Sequence, residues 1–564
     1  MIPRSMVTRK ELSLVLFSLC SCALFINEPG TAHTVVTAQA NSAQQASATS
    51  FFNVKTFGAT GDGKTLDSPS INKAIADVAA SGGGTIFFPA GTYLSVSIRL
   101  KSKISLYLDQ GATIVAADPK DGFKYDLPEP NQWDKYQDFG HTHWQNSLIW
   151  GENVHDVSIL GPGLIWGKGL VRSGGQSRTQ AQNDALQNVP TVTANSPFGY
   201  PNPRDTVEPG WGNKAISVKL SRNIVLRDFS ILHGGHFAIL ATGVDNLTID
   251  NLKIDTNRDG IDVDACRNVR ISNCSVNSPF DDGICLKSSF GLGFSRATEN
   301  VTITNCQVSG YDEGTFLDGT YKREYNRYSH NSTTGRIKFG TESNGGFKNI
   351  TISNCVFDYS RGFALETVDG GLLEDVTITN VTMRDITNSP FFLRLGSRMR
   401  GPKDTPVGKL RRVIISNVVV YNADPKYGSI ISGVPGHDIE DVTLSNIRIY
   451  YVGGGTKEQA ALEPPEKEQD YPEPVMFGEI PAYAFFVRHV KGLEVSDIQV
   501  NYMKEDLRSP FILHDVKGAD FQHIKAQRAS GVPMFVLSSV EDFSLHRSAP
   551  LHDIILPSAK ERRL

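Results

Sequence analysis

Asn246-Leu-Thr-Ile-Asp-Asn251-Leu252 is the clearest copy of a phrase that recurs along this chain. Closely similar copies, of the form Asn-x-x-Ile-x-Asn-Cys, begin at Asn268, Asn300 and Asn349. Looser copies flank them and start at Asn153, Asp375, Val413, Asp441 and Leu493. Each copy alternates apolar and polar residues, which is typical of a strand with one buried face. The copies recur at variable intervals from 22 residues upward, and repeats at such periods indicate a solenoid.

The strand units are short and no helical pattern separates them, which favours a right-handed parallel β-helix over leucine-rich or ankyrin arrays. Asparagine at a fixed place in the repeat fits a bend between strands, where it can adopt a left-handed conformation or hydrogen-bond along a ladder. The sequence therefore predicts an all-β, single-domain solenoid. A chain of 564 residues would usually suggest several domains.

One helical pattern stands at the start of the predicted solenoid. It runs from Ser68 to Ala80 and precedes Gly82-Gly83-Gly84 and a strand-like segment. A short amphipathic helix there would cap the open end of the coil and protect its edge from pairing with other chains. We place the parallel β-helix catalytic domain at residues 51–550 and treat residues 551–564 as a C-terminal tail.

The beginning of the chain resembles an export signal. Arg9-Lys10 supply positive charge, Leu12 to Ile26 form a short apolar core, and Ala38-Gln39-Ala40 provides a small-residue cleavage site. The apolar run is short for a membrane span. Residues 1–40 are therefore predicted to be a signal peptide and residues 41–50 a disordered linker. These features predict a secreted or periplasmic protein with no membrane span.

Charge and cysteine content exclude several classes of protein. A net charge of -4 is small for this length and predicts neither a nucleic acid nor an anionic membrane as a partner. Of the 7 cysteines, those outside the signal are too few for a disulfide scaffold. Cys274, Cys306 and Cys355 share one place in the repeat, which predicts buried thiols stacked on one interior row. No metal site and no cofactor are predicted, and we expect a monomer.

Two short segments concentrate the acidic residues. They are Asn257-Arg258-Asp259-Gly260-Ile261-Asp262 and Asp281-Asp282-Gly283-Ile284-Cys285-Leu286-Lys287-Ser288, which fall on two consecutive coils. Carboxylates repel one another, so a fold gathers them only for a cation or a proton-transfer task. Hydrolysis of a glycosidic bond is such a task, because it needs an acid on the leaving oxygen and a carboxylate to activate water. Solvated loop aspartates are the alternative, and spacing alone does not choose between them.

Together with the repeats, these motifs resemble glycoside hydrolase family 28, the polygalacturonase-like pectin hydrolases. The segments Phe57–Gly63 and Gly84–Tyr93 also resemble the opening of many pectin-active β-helix proteins. The resemblance spans roughly residues 53 to 385. It implies an exported glycoside hydrolase that cleaves pectic polysaccharide, at galacturonide or rhamnogalacturonan linkages, with inversion of configuration.

The resemblance also implies roles for individual residues. Asp281 would be the general acid, and Asp259 and Asp282 would hold and deprotonate the attacking water. The candidate substrate-binding residues are Asn257, Arg258, Lys287 and Arg336. An inverting enzyme holds its carboxyl groups about 6.5–9.5 Å apart, and we expect adjacent coils to separate them on that scale. Crowding should raise one pKa and keep that acid protonated.

The paired aspartates require a bent backbone. Neighbouring residues on a flat strand point to opposite faces. Asp281 and Asp282 can both reach the cleft only if the chain bends there, and Pro279 and Gly283 suit such a bend.

The chain departs from the family pattern on the next coils. Thr333-Thr334-Gly335 stands where members usually carry Gly-His-Gly, and Ala364-Leu365-Glu366 stands where an Arg-Ile-Lys usually grips a substrate carboxylate. Arg336-Ile337-Lys338 spells that second motif one coil early. Strand alternation around an inward isoleucine explains it equally well, so we interpret it as coincidental. A clamp relocated to Lys322, Arg323 or Arg336 stays open.

A missing clamp predicts a leaving-side sugar other than galacturonate, such as the rhamnose of rhamnogalacturonan. Glu366 would repel a uronate if it faced the groove. Arg258 either meets a substrate carboxylate or pairs with Asp262 or Asp281. Lys287 either binds a uronate or balances the charge of the acids.

Two rival functions use the same fold. A calcium-dependent pectate lyase would hold the ion on carboxylates such as Asp259, Asp262, Asp281 and Asp282, although the order of the motifs favours a hydrolase. A non-catalytic carbohydrate-binding solenoid would bind pectic chains without cleaving them. A lyase leaves an ultraviolet-absorbing product, whereas a hydrolase leaves a new reducing end.

Two long segments interrupt the repeat. Residues 118–144 are rich in aromatic residues and predict a sugar-stacking wall, and residues 167–211 resemble a flexible flap. Three histidines, His141, His143 and His236, fall near the expected cleft. A hydrogen-bonded structural role is the favoured interpretation for each.

Overall fold

The computed structural model describes residues 51–137, 141–171, 209–324 and 333–564. The predicted signal peptide, the linker and most of the predicted flap lie outside these residues. The chain divides into residues 1–48 and one compact unit, residues 49–564. No helix in the described ranges combines the length and apolarity needed to cross a bilayer.

The compact unit is built from short strands that follow one another around a coil. The N-terminal strands β1 to β10 are Phe51–Asn53, Asp62–Leu66, Gly84–Phe88, Gly91–Ser95, Ile98–Arg99, Ile104–Leu108, Ala112–Ala116, Ile149–Glu152, His155–Leu160 and Leu164–Trp166. The central strands β11 to β22 are Lys214–Lys219, Arg222–Arg227, Ser230–Leu232, Phe237–Thr242, Asp245–Asp250, Lys253–Asp255, Asp259–Asp264, Arg267–Ser272, Ser275–Asn277, Ile284–Ser288, Thr298–Thr304 and Gln307–Ser309.

The C-terminal strands are longer because several of them continue around a corner of the coil. Strands β23 to β35 are Ile337–Ser343, Phe347–Asp358, Phe363–Thr367, Leu372–Ile386, Phe391–Leu395, Lys409–Ala423, Ser429–Ser432, Ile439–Gly453, Ala482–Lys504, Ser509–Gln522, Lys525–Ala526, Phe535–His546 and Ile554–Arg563. Short 3-10 turns lie at Val54–Phe57, Pro119–Asp121, Asp134–Tyr136, Gln459–Ala461 and Pro474–Phe477.

Strand pairing confirms the predicted right-handed parallel β-helix. In the central region each strand pairs in parallel with the strand three places later, as β14 does with β17 and β17 with β20. Three strands therefore complete one coil. Farther along, a strand that covers two faces pairs with the strand two places later, as β26 does with β28. Side chains of successive coils then stack in register, as Ile239, Ile261, Ile284 and Ile337 do in the core.

The repeated asparagines occupy the corners in both of the predicted ways. Asn246, Asn268, Asn300 and Asn349 all have φ between 54° and 57°, in the left-handed region. Their side-chain amides also form a ladder, in which each Nδ2 donates to Oδ1 of the asparagine one coil earlier, at 2.8 Å for Asn349 and Asn300. A residue that tolerates this conformation and bonds to its own kind on the next coil explains why the repeat keeps asparagine.

The three cysteines of the repeat share an interior row, as predicted. Cys274, Cys306 and Cys355 are each 1% exposed. The backbone nitrogen of Gln307 donates to the carbonyl of Cys274, and that of Val356 donates to the carbonyl of Cys306, so the thiols fall on successive coils. All five cysteines of the described residues are buried and unbridged.

Both ends of the coil are covered. The α-helix α1 spans Ser68–Ala80, as predicted, and buries Ile71, Ala74, Ile75 and Val78. At the other end β34 pairs with β35 in antiparallel register. Residues 551–564 were separated as a tail, but most of them form this last strand. The prediction erred because the short segment lacks the repeat phrase.

Candidate active site

The predicted acidic residues lie together at the starts of two neighbouring strands. Asp259 is the first residue of β17, and Asp281 and Asp282 precede β20 in a bend, as expected. A Cβ on Gly260 would lie 2.5 Å from the carbonyl oxygen of Gly283, so only glycine allows the coils to approach this closely here. The backbone nitrogen of Gly260 donates to the carbonyl of Asp282 at 3.0 Å.

The three carboxylates are close enough to interact strongly. One oxygen each from Asp259, Asp281 and Asp282 lies within 4.8 Å of the other two. They come this close because hydrogen-bonded strands of neighbouring coils lie only about 4.7–4.9 Å apart, and the acids project from equivalent places on them.

Arg258 pairs with one of these acids. Its Nε donates to Oδ2 of Asp281 at 3.0 Å, and its Nη2 contacts the same oxygen. Its Nη1 lies 3.2 Å from Nδ1 of His236. The side chains of Arg258 and Asp281 are 24% and 26% exposed, so this pair forms the accessible part of the cluster. Arg258 was expected either to meet a substrate carboxylate or to pair with Asp262 or Asp281. In the structure it pairs with Asp281.

The pKa values of the acids diverge. Burial raises the pKa of Asp259 well above its usual value, and the charges of Asp262 and Asp281 raise it further. Burial also opposes ionisation of Asp281, but the charge and hydrogen bonds of Arg258 outweigh it and lower the pKa of Asp281. The acid with the raised pKa is thus Asp259, and burial is the main cause, whereas the resemblance implies the proton on Asp281.

Arg336 and Lys338 both point at the third acid. Nε of Arg336 donates to Oδ1 of Asp282 at 2.8 Å, and Nζ of Lys338 lies 3.4 Å from Oδ2. Ile337 between them is inward and fully buried. Alternation around this inward isoleucine, as expected, places both cations on the face that carries the acids. Of the other clamp candidates, Lys322 is exposed and Arg323 pairs with Asp358 and Asp385.

One residue that the sequence does not indicate completes this cluster. Glu473 contacts Nη2 of Arg336, lies 2.8 Å from Nη1 of Arg361 and lies 3.7 Å from Nζ of Lys338. Burial opposes its ionisation, but these cations lower the pKa of Glu473 to about 2. It belongs to residues 454–481, between β30 and β31, which we call the covering segment. No sequence signal identified it, because 137 residues separate Glu473 from Arg336.

The covering segment lies on the outer face of the sheet just beyond the acids. Its Phe477 and Ile480 form an apolar cluster with Ala364, Phe392, Ile430 and Phe486. Glu366 is fully buried beneath it, 3.6 Å from Lys338. Burial raises the pKa of Glu366 to about 8. Glu366 therefore does not face an open groove, so the condition under which it would repel a uronate is not met.

A second group of charges surrounds Asp262, on the strand that begins with Asp259. Lys287 lies 3.7 Å from Asp262 and 3.3 Å from Glu342, and its side chain is buried. Nε2 of His141 approaches the same two carboxylates. Lys287 thus balances acidic charge, in agreement with one of its two interpretations. Asn257 is also buried, and its carbonyl accepts a hydrogen bond from the nitrogen of Phe280.

Part of the aromatic segment reaches this region. The rings of Trp133 and Tyr136 are stacked, with centroids 6.2 Å apart, and both pack against Phe290, which follows β20. Nδ1 of His143 lies 2.8 Å from the backbone carbonyl oxygen of Glu129, which accepts a hydrogen bond from it. This contact agrees with the structural role favoured for His143. Phe139 lies outside the described residues. The proposed sugar-stacking wall thus stands beside the coil that carries the acids.

Two family models match parts of the chain. Residues 51–125 match the model described as rhamnogalacturonase A/epimerase, pectate lyase-like, and residues 205–312 match a right-handed β-helix region. Among curated relatives, a probable polygalacturonase from Vitis vinifera is 23% identical over 71% of this chain and 74% of its own length. An exo-poly-α-D-galacturonosidase from Dickeya chrysanthemi is 24% identical, covering 70% of this chain and 71% of its own length.

Solved structures share the architecture. An exopolygalacturonase from Thermotoga maritima has a TM-score of 0.57 at 19% identity, covering 80% of this chain and 92% of its own. A family 28 exopolygalacturonase from Yersinia enterocolitica also has a TM-score of 0.57, at 18% identity, with 85% and 78% covered. The predicted resemblance to polygalacturonase-like proteins is confirmed by these relatives and by the shared fold.

Proposed function

From the premise that this chain is a polygalacturonase-like β-helix, we propose that it is a glycoside hydrolase that cleaves pectic polysaccharide by general acid–base catalysis. The single observation that carries the proposal is the convergence of Asp259, Asp281 and Asp282 within 4.8 Å of one another at neighbouring coils. A fold that tolerates three such acids, with Asp281 at the accessible edge of the cluster and Asp259 and Asp282 buried behind it, is equipped to transfer protons.

The proton donor in this proposal is Asp281. In the free site its pairing with Arg258 favours the ionised form, so donation requires Arg258 to leave it. A substrate uronate that takes over the guanidinium would raise the pKa of Asp281 at the moment when a proton is needed. Arg258 would then bind substrate and control the acid together. Asp259 is the alternative donor, because its pKa is already raised.

The attacking water would be held by the other carboxylates. Asp282 is fixed by Arg336 and Lys338, one cation at each of its oxygens. Such a carboxylate is a poor nucleophile, because both oxygens are engaged. Each oxygen keeps a second lone pair, so Asp282 can orient a water molecule and accept its proton as the water attacks, while Asp281 gives its proton to the leaving oxygen. This favours hydrolysis with inversion, as the family resemblance implies.

The rival functions fit the cluster less well. Calcium prefers six to eight oxygen ligands, whereas Asp281 and Asp282 are already neutralised by Arg258, Arg336 and Lys338. This arrangement argues against a lyase that holds calcium on these acids. A non-catalytic sugar-binding solenoid would have little use for an acid whose pKa is raised next to one whose pKa is lowered.

The remaining proposals concern the whole protein. We propose that residues 1–40 direct export and are removed, that residues 41–50 form a linker, and that the enzyme acts as a secreted or periplasmic monomer. The polar composition of the linker and the small-residue motif at Ala38-Gln39-Ala40 support this proposal. Edman sequencing of the mature protein from the culture or periplasmic fraction tests the cleavage site.

The deciding experiment measures products on homogalacturonan and rhamnogalacturonan in parallel. New reducing ends without absorbance of an unsaturated uronate are expected on at least one polymer, and they should be lost in Asp281→Asn. An ultraviolet-absorbing product would show a lyase. Binding without cleavage of either polymer would show a non-catalytic solenoid. Arg412→Ala, at an exposed ion pair with Asp375, is the matched control on the same fold.

A further inference from the structure

The covering segment fills a cationic site next to the acids with a carboxylate of the protein itself. Arg336, Lys338 and Arg361 come from two successive coils and converge on Glu473. Guanidinium and ammonium groups arranged in this way bind carboxylates, and arginine does so with particular geometric fit. Asp282 and Glu366 pair with Arg336 and Lys338, whereas Glu473 lies close to all three cations and offsets their mutual repulsion.

Glu473 is held in place from both sides along the chain. Before it, Arg394 and Arg488 donate to backbone carbonyls of residues 464–467, at 2.8–3.0 Å. After it, Phe477 is buried in the apolar cluster with Phe392 and Phe486. These anchors fix the backbone around Glu473, so its carboxylate is built into the site.

The cations behind Glu473 are inaccessible. The side chains of Arg336 and Lys338 are 2% and 3% exposed, and that of Arg361 is 12% exposed. A substrate carboxylate could reach them only by displacing Glu473. One coil before Asp281, the side chain of Arg258 is 24% exposed, so a substrate carboxylate can reach it and compete with Asp281 for its guanidinium. A substrate carboxylate can therefore bind beside Arg258, whereas Glu473 already occupies the cations on the side of Asp282.

We propose that Glu473 is a specificity-determining residue that stands in for a substrate carboxylate, so that the subsite beside Asp282 takes an uncharged sugar. The inference rests on the proposed hydrolase function and names its substrate class. The bond cleaved would join a uronate, bound near Arg258, to a neutral sugar, bound near Glu473. A pectic chain that alternates galacturonate with rhamnose has such bonds, whereas homogalacturonan has none.

The test compares kcat/KM on oligosaccharides of the two polymers for the parent and for Glu473→Gln. The amide keeps the shape of the side chain but frees the cations for a substrate carboxylate. We expect the parent to prefer the alternating oligosaccharide, and Glu473→Gln to shift the ratio toward oligogalacturonide by about tenfold or more. Glu468→Gln, an exposed residue of the same segment, should leave the ratio unchanged.

A binding measurement separates specificity from catalysis. Free galacturonic acid should raise the Tm of Glu473→Gln more than that of the parent, because in the variant its carboxylate no longer competes with Glu473 for Arg336 and Lys338. Glu473→Asp keeps the charge and withdraws it by one methylene. We expect Glu473→Asp to shift the ratio of kcat/KM values in the same direction as Glu473→Gln, but by a smaller factor. It replaces Glu473→Gln in the test if the amide variant does not fold.

Each outcome decides between the two proposals. Cleavage by the parent with an unchanged ratio in Glu473→Gln overturns the role of Glu473 and leaves the hydrolase function standing. Rapid cleavage of oligogalacturonide by the parent also overturns it. A folded parent that cleaves neither oligosaccharide overturns the proposed hydrolase function itself, and the substrate inference with it.

Discussion

Arg258 and Asp281 form an ion pair at the accessible edge of the acidic cluster, with Nε and Oδ2 3.0 Å apart. The pair brings the proposed proton donor and a candidate substrate-binding residue into direct contact. The protonation of Asp281 then depends on where the guanidinium of Arg258 lies. A substrate carboxylate that competes for Arg258 would couple binding to acid catalysis.

The identity of the proton donor can be tested with leaving groups. Asp281→Asn should lower kcat about 10²–10⁴-fold on a natural oligosaccharide, because the amide cannot protonate the leaving oxygen. An aryl glycoside, whose leaving group needs little protonation, should lose much less. Initial rates on both substrates measure the difference.

The same comparison in Asp259→Asn provides the control. If Asp259 acts on water, its loss should reduce the rate on both substrates by similar factors. The opposite pattern, with Asp259→Asn rescued by the aryl group and Asp281→Asn not rescued, would move the proton donor to Asp259.

The stereochemistry of hydrolysis gives an independent prediction. We expect the first product to have the anomeric configuration opposite to that of the cleaved linkage, because Asp282 is held by two cations and suits the positioning of water. Proton NMR during the first minutes of the reaction records the anomer before mutarotation. A product that retains the configuration would show that the short separation of the acids reflects a covalent intermediate.

Removing Arg336 should destabilise the fold. Arg336→Ala leaves Asp282 and Glu473 short of a buried counter-charge, and breaking a buried ion pair costs about 3–5 kcal/mol. Chemical denaturation followed by circular dichroism measures the loss. Arg412→Ala removes an exposed arginine from its ion pair and should change the free energy of unfolding little. Equal effects of the two substitutions would contradict the structural role of Arg336.

Glu366 predicts a dependence of stability on pH. Burial raises its pKa from 4.5 to about 8 in the folded protein, so between these values the folded state holds a proton that the unfolded state has released. The contribution of Glu366 to the free energy of unfolding therefore falls as pH rises through this window. Denaturation from pH 5 to 8 should show a steeper decline for the parent than for Glu366→Gln. If the free energy of unfolding fell equally with pH in both proteins, Glu366 would not be the group with the raised pKa.

The asparagine ladder predicts an order of substitutions. Asn300→Ala loses the ladder contacts and places an alanine at a φ of 57°, which adds a cost of about 1 kcal/mol. Asn300→Gly loses the same contacts but tolerates this φ. Thermal unfolding should therefore rank the parent above Asn300→Gly, and Asn300→Gly above Asn300→Ala. An alanine variant as stable as the glycine variant would show that the backbone is not strained there.

Most of the fold could be predicted from the sequence because each short repeat contains the local features that determine one coil. The phrase around Asn300 contains the alternation of the strand, the corner and the buried cysteine, and α1 was predicted with its observed ends. The acids were found for the same reason, since Asp259 and Asp281 belong to short motifs.

What the sequence could not predict depends on contacts between distant segments. Glu473 reaches Arg336 across 137 residues, in a covering segment with no motif. The direction of Arg336 and Lys338 followed from alternation, but their anionic partners could not be read from the sequence. The resemblance implied a raised pKa at Asp281, whereas the structure raises that of Asp259, because the pairing of Arg258 with Asp281 depends on side-chain geometry.

The corners and the stacked coils together fix the distance between neighbouring coils along the axis of the β-helix. Each coil advances by the hydrogen-bond spacing of parallel strands, about 4.8 Å, and the glycine at position 260 holds the two acid-bearing coils at that pitch. The distance between the reacting groups is thus a property of the backbone lattice. Insertions between coils can reshape the cleft walls freely, whereas one added residue within the coil at Asp259 would turn its side chain to the opposite face.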